Sequence, residues 1–249
     1  MIKLIIILIF AVFVSIYTMF DFIVCSLIAL FNQKIVRRHS VRVVKFIFRF
    51  VILVSGVKVY VAGLEHLKSL DNEKSYFAIS NHRGFFDIIT GYLLFDKDTG
   101  IIAKDSLGKI PILRYWMKRI NCLFLNRHDL RDGMRMVLDA IKNINNGISM
   151  WVFPEGTRCQ SKNPLELLEF KQGTFKIPEK TDSYILPIAF RNTEKAYEDQ
   201  KPFLKSTDIY INIGAPYKIS ELNSNDNVAV YSQEIIKKLL AEENKWQRM

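Results

Sequence analysis

The first 31 residues form a nearly uncharged apolar stretch, and this feature limits the chain to a membrane-associated protein. No charged residue occurs from Leu4 to Phe20, and after Asp21 the apolar run resumes from Phe22 to Phe31. Leu4–Phe20 would form a helix of about 26 Å, close to a typical hydrocarbon core of ~30 Å. Either this helix crosses the bilayer once, or Asp21 marks a bend and two shorter helices enter one leaflet, because an ionised carboxylate at mid-bilayer costs several kcal/mol. The lone Lys3 before the run and the missing small-residue cleavage site predict an uncleaved segment.

Positive charge follows this stretch directly. Residues 1–58 contain eight lysines or arginines and one aspartate, which accounts for +7 of the formal net charge of +10. The segment Gln33–Ser55 mixes cations with aliphatic and aromatic residues, so we predict a basic helix at the lipid interface. The alternative is a surface helix packed on a soluble domain. The positive flank predicts that the rest of the chain faces the cytoplasm, and it favours an anionic bilayer surface over nucleic acid as the partner.

After Gly63 short apolar runs alternate with amphipathic stretches, which is typical of α/β domains. The predicted strands are Val57–Val61, Ser75–Ile79, Gly100–Ala103, Cys122–Leu125, Ile148–Phe153, Tyr184–Phe190 and Asp208–Ile213. The predicted helices are Phe85–Leu94, Ile110–Arg119, Arg131–Asn143 and Val228–Ala241, and Asp129 caps the third. We therefore predict membrane-anchoring helices over residues 1–55 and one α/β domain over residues 56–249.

Several common chemistries are excluded by the motifs that the sequence lacks. It contains no G-x-S-x-G, no G-x-x-x-x-G-K-[ST], no G-x-G-x-x-G and no H-E-x-x-H. Cys25, Cys122 and Cys159 are widely separated, which predicts neither a disulfide framework nor a zinc ribbon and fits a reducing compartment. We predict no metal site and no bound cofactor.

One histidine stands in a pattern that suggests catalysis. A predicted strand ends at Ile79, and His82 precedes Asp87 by five positions across a short turn. A carboxylate that fixes one imidazole nitrogen leaves the other free to take a proton from a hydroxyl. On this spacing alone, a structural histidine with satisfied hydrogen bonds is the alternative interpretation.

A second candidate loop follows the buried strand that ends at Phe153. Gly156 lets backbone N–H groups approach an anion, Thr157 adds a hydroxyl donor, and Arg158 presents a planar fork to a phosphate. Glu155 would repel a phosphate, so we expect it to hold the loop or a nearby arginine. The alternative is a turn with a weak Arg–Glu surface pair.

Together the two loops resemble the glycerophospholipid acyltransferases, specifically the 1-acylglycerol-3-phosphate acyltransferase group. Asn81–Asp87 matches the N-H-x-x-x-x-D block and Phe153–Arg158 the F-P-E-G-T-R block, in the right order and about 70 residues apart. Lys104–Pro111, Asn121–Arg127 and Ile185–Ala189 resemble the other blocks of the family. The resemblance covers about residues 56–240, and it implies an α/β fold with a mixed sheet and flanking helices.

The resemblance also implies an activity. The family transfers a fatty acyl group from a thioester on acyl carrier protein or coenzyme A to the sn-2 hydroxyl of lysophosphatidic acid, making phosphatidic acid. By this resemblance His82 is the general base and Asp87 its partner. The implied substrate-binding residues are Lys104, Arg127, Glu155, Gly156, Thr157 and Arg158, with the cations holding the phosphate and Gly156 or neighbouring amides the oxyanion.

Three alternatives stay open at this point. The same chemistry fits another lysophospholipid, a lyso-aminolipid or glycerol 3-phosphate as acceptor. A membrane-bound scaffold that has lost turnover would keep the fold, although it would have no need of His82, Asp87, Glu155 and Arg158. A basic membrane-associated nucleic-acid binder would show a steep salt dependence of binding.

Overall fold

The computed structural model describes residues 2–223, 227–242 and 246–249. The chain begins with an antiparallel helical hairpin, α1 (Ile2–Ala29) and α2 (Gln33–Ser55). Helix α1 continues through Asp21 without interruption, so the bend, which was one of the alternatives left open for this residue, does not occur. The predicted bounds of α2 are confirmed: the Asn32 side chain accepts the Lys34 and Ile35 N–H groups at its start, and Gly56 adopts a left-handed conformation at its end.

Polar contacts attach α1 to the rest of the molecule near both ends. At one end the Lys3 ammonium donates to the Ser55 carbonyl and to the Ser206 hydroxyl, both at 2.7 Å. Near the other end the buried Asp21 carboxylate lies 2.7 Å from His39 Nε2 and accepts the Tyr115 hydroxyl at 2.7 Å. Asp21 is therefore a contact point between three helices, and it is not exposed to lipid.

Helix α2 packs on the α/β body along one face. Val36 and Val44 are buried, and Phe48 meets Tyr92 edge to face. Its cations reach the body as well: Lys45 donates to the Phe95 carbonyl. Helix α2 thus packs on the body, as the alternative interpretation of this segment had it. Contact with lipid stays a prediction for the other face of the helix.

Over the residues that the structure describes, the body is built on one sheet of eight strands. The sheet is mixed, as the resemblance predicted. The order is β4-β3-β5-β2-β6-β7-β1-β8. The strands are β1 (Lys58–Ala62), β2 (Phe77–Ser80), β3 (Thr99–Lys104), β4 (Leu123–Leu125), β5 (Ser149–Val152), β6 (Ile185–Arg191), β7 (Asp208–Ile213) and β8 (Gln247–Arg248). The first five in the order run parallel, β7 is antiparallel to β6, and β1 is parallel to β7. All seven predicted strands are confirmed, while β8 was not predicted.

Helices cover both faces of the sheet. The remaining α-helices are α3 (Leu64–Lys68), α4 (Phe85–Gly91), α5 (Pro111–Arg119), α6 (Leu130–Asn145), α7 (Lys176–Thr181) and α8 (Val228–Ala241). Side chains alternate along the strands, so Ala78 faces the core under α2, α4 and α5, whereas Phe77 and Ile79 face the core under α6, α7 and α8. The four predicted helices are confirmed, including the Asp129 cap, whereas α3 and α7 were missed.

The parallel half of the sheet determines where the candidate residues meet. Strands β4, β3, β5 and β2 are neighbours and run in the same direction. Their carboxyl ends therefore share one edge, which is where open α/β sheets bind ligands. We call this the site edge. It carries Lys104 at the end of β3, and Arg127, the Pro154–Arg158 loop and His82 just after their strands.

Candidate active site

His82 and Asp87 form a buried hydrogen-bonded pair at the site edge. His82 Nδ1 lies 2.7 Å from Asp87 Oδ2, and the same oxygen accepts the Arg83 N–H at 2.8 Å and the Gly84 N–H at 2.9 Å. The turn before α4 therefore folds around the carboxylate, which is how a spacing of five residues brings the pair together. Because Nδ1 is committed to Asp87, Nε2 is the ring nitrogen left for a substrate.

The imidazole ring is fixed by packing as well as by the carboxylate. The ring stacks on Phe153 with centroids 4.1 Å apart and an interplanar angle of 26°. Phe153 comes from the end of the neighbouring strand β5, and it packs in turn on Trp151. The His82 side chain is 11% exposed, so it is accessible from the edge and otherwise enclosed.

Glu155 joins the two motif loops through the main chain. One oxygen, Oε1, accepts the His82 N–H at 2.7 Å, and Oε2 accepts the Leu168 N–H at 2.8 Å. Burial raises the pKa of Glu155, while these two N–H groups oppose the shift. The expectation that Glu155 holds its loop agrees with this geometry. Its assignment as a substrate-binding residue stays a prediction, and the contacts that the structure gives its two oxygens are these backbone N–H groups.

In the loop after β5, the Gly156 N–H has a hydrogen-bond partner that the sequence did not predict. Gly156 has a positive φ of 72°, which favours glycine, but its N–H donates to the Phe153 carbonyl at 3.0 Å. This amide is therefore not free to stabilise an oxyanion, which corrects the assignment of Gly156 to that role. Thr157 is exposed at the tip of the loop.

Arg158 pairs with a carboxylate from another part of the chain. Its Nη1 lies 3.2 Å from Glu198 Oε1, and its side chain is 40% exposed. The surface Arg–Glu pair that was the alternative interpretation does not form within the turn, since Glu155 binds backbone N–H groups. Arg158 thus presents a guanidinium group to solvent beside the motif loops.

Lys104 and Arg127 lie farther along the site edge. Lys104 ends β3, next to Leu125 of β4, and Arg127 follows β4 by two residues. Both side chains are exposed. Within the described residues no hydrogen bond or ion pair joins either cation to His82 or Arg158, so the structure places them on the same edge without connecting them directly.

Two residues that sequence reasoning missed hold the site together. The Arg83 guanidinium donates to the carbonyls of Ser161 and Asn163 at 2.6 and 3.1 Å, which secures the segment after the second motif. Glu198 contacts Arg158. Arg83 occupies a position of its motif at which any residue is allowed, and Glu198 lies in no motif. No sequence pattern therefore marked either residue as part of the site.

The arrangement is suited to proton abstraction from a hydroxyl. A histidine whose second nitrogen is bound to a buried carboxylate, with exposed cations on the same edge, is the geometry of a general base beside an anion site. Cys159 directly follows Arg158 in the sequence, but it is buried and its thiol faces the Glu166 carbonyl. The Cys159 thiol is therefore engaged within the fold.

Comparisons with known proteins agree with this chemistry. A family model described as Acyltransferase matches residues 58–191. The 1-acyl-sn-glycerol-3-phosphate acyltransferase of Borreliella burgdorferi is 28% identical over 188 residues, which is 74% of this chain and 73% of that protein. The protein of the same name from Saccharomyces cerevisiae is 27% identical over 184 residues, 74% of this chain and 59% of that protein.

A solved structure shares the whole fold. The crystal structure of the 1-acyl-sn-glycerophosphate (LPA) acyltransferase from Thermotoga maritima has a TM-score of 0.77 at 22% identity, and the match covers 96% of this chain and 94% of that one. The shared architecture includes the helical hairpin, since the match extends over nearly the full length.

Proposed function

Because the chain belongs to the acyltransferase family, as its motifs predicted, we propose that it transfers a fatty acyl group to the sn-2 hydroxyl of 1-acylglycerol 3-phosphate and makes phosphatidic acid for phospholipid synthesis. The observation that carries the proposal is the buried His82–Asp87 pair, with Nε2 left for a hydroxyl at a site edge that also bears three cations. The names of the relatives support this acceptor.

The reaction needs only one proton carrier. His82 Nε2 takes the proton of the sn-2 hydroxyl as its oxygen attacks the thioester carbonyl, and the Asp87 carboxylate stabilises the imidazolium. Collapse of the tetrahedral intermediate forms the ester, breaks the C–S bond and returns the proton to the leaving thiolate. The thioester, on acyl carrier protein or coenzyme A, is a co-substrate, and we propose no cofactor or metal.

The cations and the second loop bind the rest of the acceptor in this proposal. Arg158 binds the phosphate, and Lys104 and Arg127 extend the positive surface along the site edge. Thr157 adds a hydroxyl donor, and amides next to Gly156 stabilise the oxyanion because the Gly156 N–H is already bound. Glu155 keeps the loop in register with His82.

The N-terminal hairpin gives this chemistry its location. The outer face of α1 exposes a continuous set of large apolar residues, and α1 is the one described helix that is long and apolar enough to cross a membrane. We propose that α1 lies in one leaflet, because Lys3 contacts Ser206 of the body and Asp21 contacts Tyr115 of the body. A cleft at the interface spares each acyl chain a passage through water, at roughly 0.8 kcal/mol per CH₂. The body then faces the cytoplasm.

Product analysis tests the proposal directly. The full-length protein in lipid vesicles is given lysophosphatidic acid with either an acyl carrier protein thioester or an acyl coenzyme A, and the lipids are identified by mass spectrometry. We expect phosphatidic acid with at least one donor, and a rate lower by about 10² or more from the His82→Ala variant. A panel with a lyso-aminolipid, other lysophospholipids and glycerol 3-phosphate identifies the acceptor. Acylation of one of these in place of lysophosphatidic acid would contradict the proposal.

A further inference from the structure

Glu198 connects the two motif loops although it belongs to neither. It lies in the connection between β6 and β7, beyond the residues that the family model matches. Its Oε1 accepts the Phe85 N–H at 3.0 Å, at the first residue of α4, and lies 3.2 Å from Arg158 Nη1. One carboxylate oxygen thus contacts the helix that carries Asp87 and the cation of the second motif.

The surroundings of Glu198 leave it little freedom. Its side chain is 12% exposed, and within the described residues its buried Oε2 has no hydrogen-bond partner. A Cβ atom placed on Gly84 would lie 2.6 Å from Oε2, so the carboxylate packs directly against the turn that precedes α4. Burial raises the pKa of Glu198, while the Phe85 N–H and Arg158 oppose the shift. The guanidinium of Arg158 is the cation that compensates this carboxylate.

Arg158 depends on this contact for its orientation. An exposed arginine has many rotamers, and binding a phosphate requires that one of them be selected. Among the described residues, Glu198 is the polar partner that the Arg158 side chain contacts. The ion pair uses Nη1, on one side of the guanidinium fork. The remaining N–H groups stay available for an anion.

We propose that Glu198 is a positioning residue for the acceptor: it holds Arg158 beside the start of α4, so that the phosphate bound by Arg158 places the acceptor hydroxyl at His82. This inference rests on the proposed function. In this proposal the guanidinium lies between the carboxylate and the phosphate, which limits the repulsion between the two anions.

A double-mutant cycle tests the inference. The variants are Glu198→Gln, which keeps an acceptor for the Phe85 N–H but removes the charge, Arg158→Ala, and the two combined. With full-length protein in vesicles, Glu198→Gln is expected to raise the KM for lysophosphatidic acid about fivefold, and to change kcat and the donor KM by less than about twofold. In the Arg158→Ala background, Glu198→Gln should have no further effect on the acceptor KM.

Controls separate orientation from charge and from damage to the fold. Asp199→Asn removes a neighbouring exposed carboxylate and is expected to leave the acceptor KM unchanged. Glu198→Asp keeps the charge with a shorter reach, and should raise the acceptor KM less than Glu198→Gln does. Additive effects of Glu198→Gln and Arg158→Ala, or a lower acceptor KM in Glu198→Gln, would overturn the role of Glu198 alone. Wild-type protein that makes no phosphatidic acid would overturn the proposed function and this inference together.

Discussion

Asp87 Oδ2 accepts three hydrogen bonds at once, from the His82 ring and from two backbone N–H groups. This number explains why a carboxylate is needed at this position and why the pair depends on the local turn. The oxygen of an asparagine amide carries no charge, so it is a weaker acceptor for three donors than a carboxylate oxygen. The ring orientation and the stability of the imidazolium therefore both depend on Asp87.

Asp87→Asn is expected to lower kcat by about 10² or more, because the imidazole loses its fixed tautomer and its counter-charge. His82→Ala should cost at least as much. Since the two side chains act as a unit, the double variant is expected to be about as active as His82→Ala alone. Initial rates of phosphatidic acid formation measure all three variants. If the fold-decrease in kcat of the double variant equals the two single fold-decreases multiplied together, the residues act independently.

Sequence reasoning predicted residues that belong to a motif and missed those that support it. The chemistry of His82, Asp87 and Arg158 is visible in their residue types and spacing, whereas Glu198 becomes adjacent only through the fold. Asn121 illustrates the same limit. It has a positive φ of 60°, and the structure alone shows that a left-handed residue stands at this position.

At the scale of elements, the hairpin that we propose as the membrane anchor is also packed as part of the body. Phe10 of α1 stacks on Phe50 of α2 at 3.8 Å, and α2 buries Val44 in the core. Deletion of residues 1–55, which the sequence alone suggests as a test of docking, would therefore expose the core. A change on the outer face of α1 tests the same role without this damage.

Phe13 and Phe20 lie two turns apart on α1 and are 65% and 67% exposed. Phe13→Asp with Phe20→Asp is expected to lower turnover of long-chain lysophosphatidic acid in vesicles at least tenfold, because each carboxylate costs a few kcal/mol in hydrocarbon. Turnover of a short-chain acceptor dissolved as monomers should be unchanged. Leu138→Asp is the matched control, since this residue of α6 is 65% exposed over the opposite face of the sheet. Equal losses on both acceptors would contradict a role in docking.

Two glycines are expected to respond in opposite ways to alanine. Gly63 has a φ of 78° at the end of β1, and a Cβ there would lie 2.0 Å from the Ile213 carbonyl oxygen. Gly63→Ala should therefore lower the free energy of unfolding by more than about 3 kcal/mol. Gly133 lies within α6 with no heavy atom near its Cβ position, so Gly133→Ala should raise stability by about 0.5–1 kcal/mol. Thermal unfolding of the two variants beside the wild type checks both signs.

The long periodic elements were predictable and the short ones were not. Helix α8 follows its apolar periodicity and its Asn227 cap, so its predicted bounds match the structure. The short helices α3 and α7 span five and six residues, too few to show a period. The two-residue strand β8 pairs with Tyr60 and Val61, and this contact arises only once β1 has become available for pairing.

At the scale of the whole molecule, the sheet order creates the site. The two motifs are about 70 residues apart in sequence, and they meet because β5 lies next to β2 with both strands parallel. Helices α5 and α6 bring the chain back between successive strands of the parallel half. The strands themselves could be predicted from apolar runs. Their order could not, since it depends on how both faces of the sheet are covered.

The placement of α1 along the body leads to a prediction of membrane topology. From Lys3 to Asp21 the helix rises about 27 Å, and contacts with the body exist at both of these residues. A helix that crossed the bilayer alone would separate its ends by the hydrocarbon core, and the body could then touch only one of them. We therefore expect both ends of α1 to lie on the side of the body, and the basic flank predicts that this side is the cytoplasm. Single cysteines at Ile2 and Leu30, which are exposed at opposite ends of α1, are expected to react with a membrane-impermeant maleimide from that side only.

The native Cys25, Cys122 and Cys159 are buried, so the unsubstituted protein gives the background reaction. A cysteine at the exposed Lys201 of the body serves as the reference in sealed vesicles of both orientations. Labelling of the Ile2 and Leu30 positions from opposite sides would show that α1 spans the bilayer, and the contacts of Lys3 with Ser55 and Ser206 could not then persist in the membrane.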